Sequence, residues 1–373
     1  MQDGENRTFF IGGKAYGPKN PLLIAELGTS HGGDPAKAAA LAEAAAEAGA
    51  DCVKFQMVFA DEILHPNTGD VPLPGGMTRL YDVFRRLESP LEFYAEIKER
   101  VESLGLMFLC TPFGLESAGM LRDLRPKAVK IASPELNHVA LLREIAGWGL
   151  PAFLSTGVST LGDIEEALGV FGVSGGNVCL LHCVTAYPAP EADYNLRLLR
   201  SLSAVFGVPM GVSDHSLDPV LVPALAVTQG AVAIEKHFCL SRDDPGLDDP
   251  IALPPREFAL MTRAARLAVE SGPDETLARL RRDHGDAMVA AVLGDGAKKL
   301  APSERDNYSR TNRSLHALRD ILPGQTIEAG DFAALRTEKI LRPGLPPSWA
   351  DGIVGRTART FIPAGEGIRF EDV

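Results

Sequence analysis

Two lysines stand inside runs of otherwise apolar residues, and they are the first candidates for chemistry in this 373-residue chain. Lys54 lies within CVKFQM and Lys130 lies within AVKIAS. Burying an ammonium group costs free energy unless it meets an anion, and a lysine suits phosphate or carboxylate as a point charge. Another run ends at Ser155, just before a helical segment whose first N–H groups also favour anions. These residues predict an anion site, and a structural ion pair is the alternative interpretation of the lysines.

Two histidines occupy comparable places near the ends of two later runs. His215 follows VPMGVS by two residues, and His237 ends VAIEKH. A single histidine at such a place is more often a hydrogen-bonded structural residue, but two in neighbouring runs, with Glu26 at the end of the first run, favour a divalent metal. Imidazole nitrogens and carboxylate oxygens suit several transition metals and do not choose among them.

The elements that must position these residues are eight short apolar runs that alternate with helical segments. Near-continuous apolar runs are typical of strands that are covered on both faces. The alternation predicts an α/β fold, a (β/α)8 TIM barrel, with a doubly wound sheet as the main alternative. In a barrel the carboxyl ends of the strands hold the active site, which is where the polar residues fall. The runs span residues 21–27, 52–57, 106–111, 128–133, 151–156, 178–183, 208–213 and 232–237.

The chain divides into three parts that differ in composition and residue pattern. Residues 1–270 are predicted to hold a short N-terminal hairpin and the barrel. Residues 271–312 form a polar linker, with one helix over 277–293 and a flexible stretch over 294–307. From residue 313 to residue 373 short strands alternate with Pro/Gly turns, which indicates a small β-rich domain.

Composition narrows the classes of partner. The net charge is −12, and the acidic excess lies entirely before Arg313, which argues against nucleic acid and anionic membranes as partners. The sequence shows no apolar run of about 20 residues and no signal peptide at its start, so we expect a cytoplasmic protein. The five cysteines follow no zinc-binding pattern and are predicted to be reduced, buried thiols.

Nine motifs in order resemble the N-acetylneuraminate synthase family, which includes sialic, legionaminic and pseudaminic acid synthases and spore-coat polysaccharide relatives. The C-terminal part, from RSLHALRDILPGQTI onward, is similar to the antifreeze-like (SAF) domain of that family, a β-clip fold. The matching stretches are IAELGTSHGG (24–33), GADCVKFQ (49–56), TPFGLES (111–117), VKIASPELNHVALL (129–142), LSTGVSTLGDIEEAL (154–168), LLHCVTAYPAP (180–190), GVSDHS (211–216), AIEKHF (233–238) and DDPGLDD (243–249).

The resemblance implies an enzyme that condenses phosphoenolpyruvate with an N-acylated amino-sugar aldehyde. The acceptor would be N-acetylmannosamine or a 2,4-diacetamido-6-deoxyhexose, and the products a nine-carbon 2-keto-3-deoxy acid and phosphate. It also implies a metal, with Mn²⁺ expected first and Mg²⁺, Co²⁺ or Zn²⁺ as alternatives. A further implication is a domain-swapped homodimer in which the SAF domain of one subunit covers the site of its partner.

The resemblance also assigns roles to individual residues. Catalytic roles fall on Glu26, Glu135, Lys54 and Lys130. The metal ligands are His215 and His237. Phosphoenolpyruvate is bound by Lys54, Thr111, Lys130, Ser133, Ser155 and Ser213. The sugar is bound by Gln56, Tyr187, Asp248 and Arg313.

The sequence departs from the family pattern at Gly32, Gly75, Pro134 and Thr185. Most of these positions lie near the expected sugar contacts, so they leave the reaction class in place and the identity of the sugar open. Two alternatives remain at this stage. One is another barrel synthase or aldolase of 3-deoxy sugar acids that uses phosphoenolpyruvate or pyruvate, and the other is a non-catalytic carbohydrate-binding protein.

Overall fold

The computed structural model describes residues 8–73, 76–172 and 177–373. The strands, in chain order, are β1 (Phe9–Ile11), β2 (Lys14–Tyr16), β3 (Leu22–Gly28), β4 (Cys52–Met57), β5 (Asp70–Leu73), β6 (Gly76–Arg79), β7 (Met107–Pro112), β8 (Val129–Ile131), β9 (Ala152–Ser155), β10 (Val178–Cys183), β11 (Met210–Asp214), β12 (Ala233–His237), β13 (Ser314–Ala317) and β14 (Phe332–Leu335). The helices are α1 (Pro35–Glu47), α2 (Ala60–Ile63), α3 (Leu80–Leu87), α4 (Leu91–Ser103), α5 (Leu115–Asp123), α6 (Val139–Ala146), α7 (Leu161–Val170), α8 (Leu198–Phe206), α9 (Leu221–Thr228), α10 (Pro255–His284), α11 (Asp286–Leu293) and α12 (Ala350–Ile353). Among the described residues, no helix combines the length and apolarity needed to cross a membrane.

The eight predicted runs form one parallel sheet that is rolled into a nearly closed barrel. Its strand order is β7-β4-β3-β12-β11-β10-β9-β8, so strands that follow one another in the barrel sequence are hydrogen-bonded neighbours, except β7 and β8 at the two ends. The first strand, β3, pairs with the last, β12, through partners that include Glu26 and His237. The ring is open between β7 and β8. This topology confirms the predicted TIM barrel over the doubly wound sheet, and it places the carboxyl ends of all eight strands on one rim.

The predicted N-terminal hairpin is present as β1 and β2 and closes the other end of the barrel. Phe9 packs edge-on against Phe153 of β9 with 4.8 Å between ring centroids. Together with Leu22 and Cys52, at the starts of their strands, these side chains belong to a buried apolar cluster inside the barrel. A larger apolar cluster lies between the strands and the outer helices. Because apolar side chains fill the amino end of the barrel, ligands have access from the carboxyl end.

Gly211 of β11 is required by close packing inside the barrel wall. A Cβ atom there would lie 2.5 Å from the carbonyl oxygen of Ala233 and 2.6 Å from a methyl carbon of Leu181. We expect Gly211→Ala to lower the free energy of unfolding by about 1–3 kcal/mol, measured by urea unfolding. Gly169→Ala on the exposed face of α7, where a Cβ atom would meet nothing within 4 Å, is the control. Equal unfolding midpoints for the two variants would contradict this account of the packing.

The connection to the C-terminal unit is ordered, which differs from the expected flexible stretch. Helix α10 passes through residue 270 and kinks at Gly272, whose φ is +76°. The following segment lies on the barrel rim, where Glu304 is buried and accepts backbone hydrogen bonds. The polar composition that suggested flexibility instead supplies hydrogen bonds to the barrel.

The C-terminal unit has its own small core and covers part of the carboxyl rim. Strands β13 and β14 pair antiparallel, and the core includes Leu315, Ile327 and Ile362. The unit is joined to the rim by backbone-directed hydrogen bonds. Asn67 of the barrel donates to the carbonyl oxygen of Ala364 at 2.9 Å. The predicted β-rich C-terminal unit is therefore present, and in this chain it rests on the barrel of the same chain.

Candidate active site

A cavity of about 220 Å³ opens at the carboxyl rim of the barrel, below the C-terminal unit. Most of the predicted site residues meet there. The predicted residues that line the cavity are Glu26, Lys54, Gln56, Lys130, Ser133, Ser155, Tyr187, Ser213, His215, His237 and Asp248. Thr111, Glu135 and Arg313 do not line it. Thr111 lies behind Lys54, whose Nζ is 3.4 Å from the Thr111 hydroxyl oxygen.

The two buried lysines share the carboxylate of Glu235, and Lys54 also pairs with Glu26. Lys54 Nζ lies 2.9 Å from Glu26 Oε2 and 3.6 Å from Glu235 Oε1, and Lys130 Nζ lies 3.4 Å from that same Glu235 oxygen. Burial lowers the pKa of Lys54, but Glu235 and Glu26 outweigh it and raise the pKa to about 12. Burial, with Lys54 nearby, leaves the pKa of Lys130 below its ordinary value. Both lysines line the cavity, so a ligand anion can meet them there.

Glu235 is a site residue that the sequence reasoning did not select. Burial raises the pKa of its carboxyl group, but Lys130 and Lys54 outweigh that effect and hold the pKa at about 2. Ser213 donates a hydrogen bond of 2.8 Å to its Oε1. A signal was available, because strand alternation places Glu235 on the same side as His237. The sequence alone gives no reason to prefer a ligand-facing position for the Glu235 carboxylate over a structural one.

Serine hydroxyls surround the lysines. Ser155 Oγ is buried and has no hydrogen-bond partner among the described residues. Ser133 Oγ accepts a hydrogen bond of 3.0 Å from the backbone N–H of Gly157. A buried polar atom without a partner is destabilising unless a ligand or water meets it. Ser155 is therefore available to a ligand in the cavity.

The two predicted histidines lie side by side on the cavity wall, with 5.3 Å between ring centroids. His215 Nδ1 lies 2.9 Å from the carbonyl oxygen of Val184, which can only accept, so in the neutral ring Nδ1 carries the proton and Nε2 carries the lone pair. His237 Nδ1 is 3.8 Å from Asp248 Oδ2. The ring of Tyr187 stacks on His215 with 4.4 Å between centroids. One histidine is thus fixed in the tautomer that a metal ligand needs.

The donor set fits a divalent ion. The two imidazoles and the carboxylates of Glu26 and Asp248 line the same cavity, and Glu26 Oε2 lies 2.9 Å from Lys54 Nζ. Gln56 holds the other oxygen of Glu26 with a hydrogen bond of 2.7 Å. Within residues 8–73, 76–172 and 177–373, no three His, Cys, Asp or Glu side chains are close enough to hold an ion by themselves. Waters or substrate oxygens would complete the coordination.

Two arginines of the C-terminal part converge on Glu135. Arg313 Nη2 and Arg336 Nη2 donate to the same oxygen of Glu135, at 2.8 Å and 2.7 Å. Arg313 is fully buried and donates a further hydrogen bond of 2.8 Å to the carbonyl oxygen of Phe113. Arg336 lines the cavity, whereas Arg313 does not. The arginine that the C-terminal unit presents to the cavity is therefore Arg336, which the sequence reasoning missed.

The sequence profile described as the NeuB family matches residues 41–275, and that of the SAF domain matches residues 312–373. The chain belongs to the NeuB family. The predicted resemblance is confirmed, and the C-terminal unit is an SAF domain.

NeuB-family relatives match nearly the whole chain. The N,N'-diacetyllegionaminic acid synthase of Campylobacter jejuni is 34% identical over 85% of this chain and 91% of its own. The spore coat polysaccharide biosynthesis protein SpsE of Bacillus subtilis is 33% identical over 98% and 97% of the two chains. The crystal structure of SpsE superposes with a TM-score of 0.81 at 32% identity, covering 98% of this chain and 99% of that one. Several relatives are named acid synthases, and the chain is accordingly an enzyme, a transferase of the nonulosonic acid synthase class.

The departures from the NeuB-family pattern have different surroundings. Pro134 lines the cavity. The Thr185 hydroxyl oxygen is buried and has no hydrogen-bond partner among the described residues. Gly32 has a φ of +60° and lines a separate, small cavity of about 200 Å³ beside the rim. Gly75 lies outside the described residues. Of the three described positions, Pro134 is the one that lines the cavity.

Proposed function

We propose that this NeuB-family protein condenses phosphoenolpyruvate with the open-chain aldehyde of an N-acylated amino sugar. The products would be phosphate and a nine-carbon 2-keto-3-deoxy acid. The observation that carries the proposal is the pair of buried lysines, with unpaired Ser155, in the same cavity as two adjacent histidines. The synthase names of the relatives in Campylobacter and Legionella support the same reaction class.

Phosphoenolpyruvate carries its charge on a phosphate and a carboxylate, and the lysine side of the cavity suits both. Lys54 and Lys130 supply two positive charges, and the hydroxyls of Ser133, Ser155 and Ser213 supply donors around them. Glu235 balances the lysines before a ligand binds. When an anionic ligand binds, each lysine would therefore exchange one anionic partner for another, which limits the desolvation cost of its buried charge.

The acceptor sugar would lie on the opposite side of the cavity. Gln56, Tyr187 and Asp248 offer an amide, an aromatic face and a carboxylate to hydroxyl groups and the sugar ring carbons. We assign the contact with the sugar's acyl group to Arg336, because Arg313 is enclosed behind Glu135. Arg313 then acts on the site by holding Glu135. The SAF domain supplies Arg336 to the barrel of the same chain, and the homodimer implied by the resemblance stays a prediction.

The bond changes follow from these positions. The methylene carbon of phosphoenolpyruvate attacks the aldehyde carbon, and a new carbon–carbon bond forms while the aldehyde oxygen gains a proton. Positive charge develops on the central carbon of phosphoenolpyruvate, within reach of the carboxylates of Glu26 and Glu235. Water adds to that carbon, and the C–O bond to phosphate breaks as the 2-keto group forms. One proton of the water balances the proton taken up by the aldehyde oxygen, and the other leaves with phosphate. Holding both reactants in one cavity supplies much of the rate.

We propose a divalent ion held by His215 and His237, with Mn²⁺ first and Mg²⁺, Co²⁺ or Zn²⁺ as alternatives. When bound, such an ion supplies Lewis-acid polarisation of the sugar's aldehyde oxygen. The chain's own contribution is the fixed tautomer of His215 and the orientation of Glu26 by Gln56.

The test is release of phosphate from phosphoenolpyruvate with Mn²⁺ and a panel of acceptors. The panel is N-acetylmannosamine, a 2,4-diacetamido-6-deoxymannose and a 2,4-diacetamido-6-deoxyaltrose. We expect release that depends on one of these sugars, with a stoichiometric 2-keto acid product. Pyruvate in place of phosphoenolpyruvate separates an aldolase, which would form product without phosphate. Absence of sugar-dependent release across the panel, with phosphoenolpyruvate bound, would overturn the proposed reaction.

A further inference from the structure

The linker between α11 and the SAF domain holds the backbone of two residues on the barrel rim. Glu304 Oε2 accepts hydrogen bonds from the N–H groups of Val158 at 3.1 Å and Thr185 at 3.0 Å. Asn307 donates to the carbonyl oxygen of Thr185 at 2.8 Å, and Asn312 donates to that of Val158 at 3.0 Å. The linker therefore makes hydrogen bonds to both the N–H group and the carbonyl oxygen of Val158 and of Thr185. We call Glu304, Asn307 and Asn312 the linker clasp.

The two clasped residues belong to loops that carry the site. Val158 follows Ser155 by three residues, and Tyr187 follows Thr185 by two. The loops touch between these points, because a Cβ atom on Gly157 would lie 2.2 Å from the hydroxyl oxygen of Thr185. The N–H of Gly157 also donates to Ser133. A shift at either clasped residue would therefore move both the anion side and the acceptor side of the cavity.

The conformation of Val158 needs this support. Its φ is +42°, in the left-handed region that a β-branched residue rarely adopts. Such backbone conformations persist only where the surroundings hold them, and they cluster at functional sites. Here the surroundings are Glu304 on the N–H and Asn312 on the carbonyl oxygen.

Glu304 is suited to hold two N–H groups at once. Its side chain is buried, and three backbone donors satisfy it, with Ala301 donating to Oε1 at 3.1 Å. A buried carboxylate without such donors would be strongly destabilising. A glutamine keeps the size but offers one accepting oxygen, so one of its two ends must turn an N–H₂ group toward backbone donors.

We propose that the linker clasp is a positioning element that fixes the rim loops for ligand binding, and that Glu304 is its central positioning residue. The inference rests on the proposed function for the identity of the ligand, phosphoenolpyruvate. Docking of the linker thereby links the SAF domain to the geometry of the barrel site. The linker therefore positions site loops as well as connecting the two domains.

The test compares Glu304→Gln and Asn307→Ala with Asp306→Asn, an exposed neighbour in the same linker, in the full-length chain. For Glu304→Gln we expect about a tenfold weaker affinity for phosphoenolpyruvate by calorimetry without sugar, and kcat/KM lower by roughly 10- to 100-fold. Hydrogen exchange should accelerate at the amides of Val158 and Thr185. Asn307→Ala removes one hydrogen bond and should change the affinity, kcat/KM and amide exchange in the same direction but by less. Asp306→Asn should leave all three at wild-type values.

A merely structural role would lower the unfolding temperature and leave the affinity of the folded protein for phosphoenolpyruvate unchanged, which would overturn the proposal. Unchanged exchange at both amides in Glu304→Gln would overturn it as well. Failure of the proposed reaction looks different, because the wild-type protein would then release no phosphate. In that case amide exchange at Val158 and Thr185 still decides whether the clasp holds the loops.

Discussion

Replacing Lys54 with methionine is expected to reduce kcat/KM for phosphoenolpyruvate by a factor on the order of 10²–10³. Methionine fills a similar volume without the charge, and losing one partner of a buried, hydrogen-bonded charge pair costs about 2–5 kcal/mol, at 1.36 kcal/mol for each factor of ten. The loss should be large because Glu26 would lose its cation and Glu235 would keep only Lys130. An arriving anion would then meet net negative charge on that side.

Lys127→Met is the matched control for this experiment. Lys127 is an exposed lysine at the amino end of the barrel, more than half accessible in its side chain. It should keep wild-type kinetics, and both variants should be checked for a wild-type far-ultraviolet circular dichroism spectrum. Calorimetric titration with phosphoenolpyruvate alone separates binding from chemistry. If Lys54→Met binds phosphoenolpyruvate within threefold of wild type, Lys54 belongs to a structural ion pair and the anion assignment fails.

The sequence predicted the fold and the site best where burying a polar or charged side chain is strongly unfavourable. The barrel strands could be predicted because parallel strands covered on both faces must be continuously apolar. Lys54, Lys130, His215 and His237 stood out against that background for the same reason. Their convergence in one cavity then follows from the barrel topology, since all eight carboxyl ends meet at one rim.

The residues that were missed depend on contacts between distant parts of the chain. Arg336 reaches the cavity only because the SAF domain docks on the rim, and no local pattern encodes that docking. The linker was expected to be flexible because its polar residues have no partners nearby in sequence. Glu304 finds its donors 146 and 119 residues away, at Val158 and Thr185. Periodicity and composition report local structure and do not register such pairs.

Substituting alanine for His215 should remove the metal and the activity together. In our proposal His215 Nε2 is a ligand, and its loss leaves His237 with oxygen donors of the cavity. We expect metal content, measured by elemental analysis after dialysis, to fall from about one ion per chain to near zero. Lewis-acid stabilisation amounts to several kcal/mol, so kcat should fall by a factor on the order of 10³. Chelator treatment of the wild type should give the same loss, reversed by adding Mn²⁺.

His284→Ala is the control, since His284 lies at the end of α10 and pairs with Asp218 away from the cavity lining. It should keep both metal and activity. The phosphoenolpyruvate affinity of His215→Ala distinguishes two causes of failure. A metal-free variant that still binds phosphoenolpyruvate through Lys54 and Lys130 would have lost the ion alone, whereas loss of both would indicate a collapsed rim. An active His215→Ala protein without bound metal would refute the metal site, because the cationic side chains that line the cavity in the described part of the chain are then Lys54, Lys130 and Arg336.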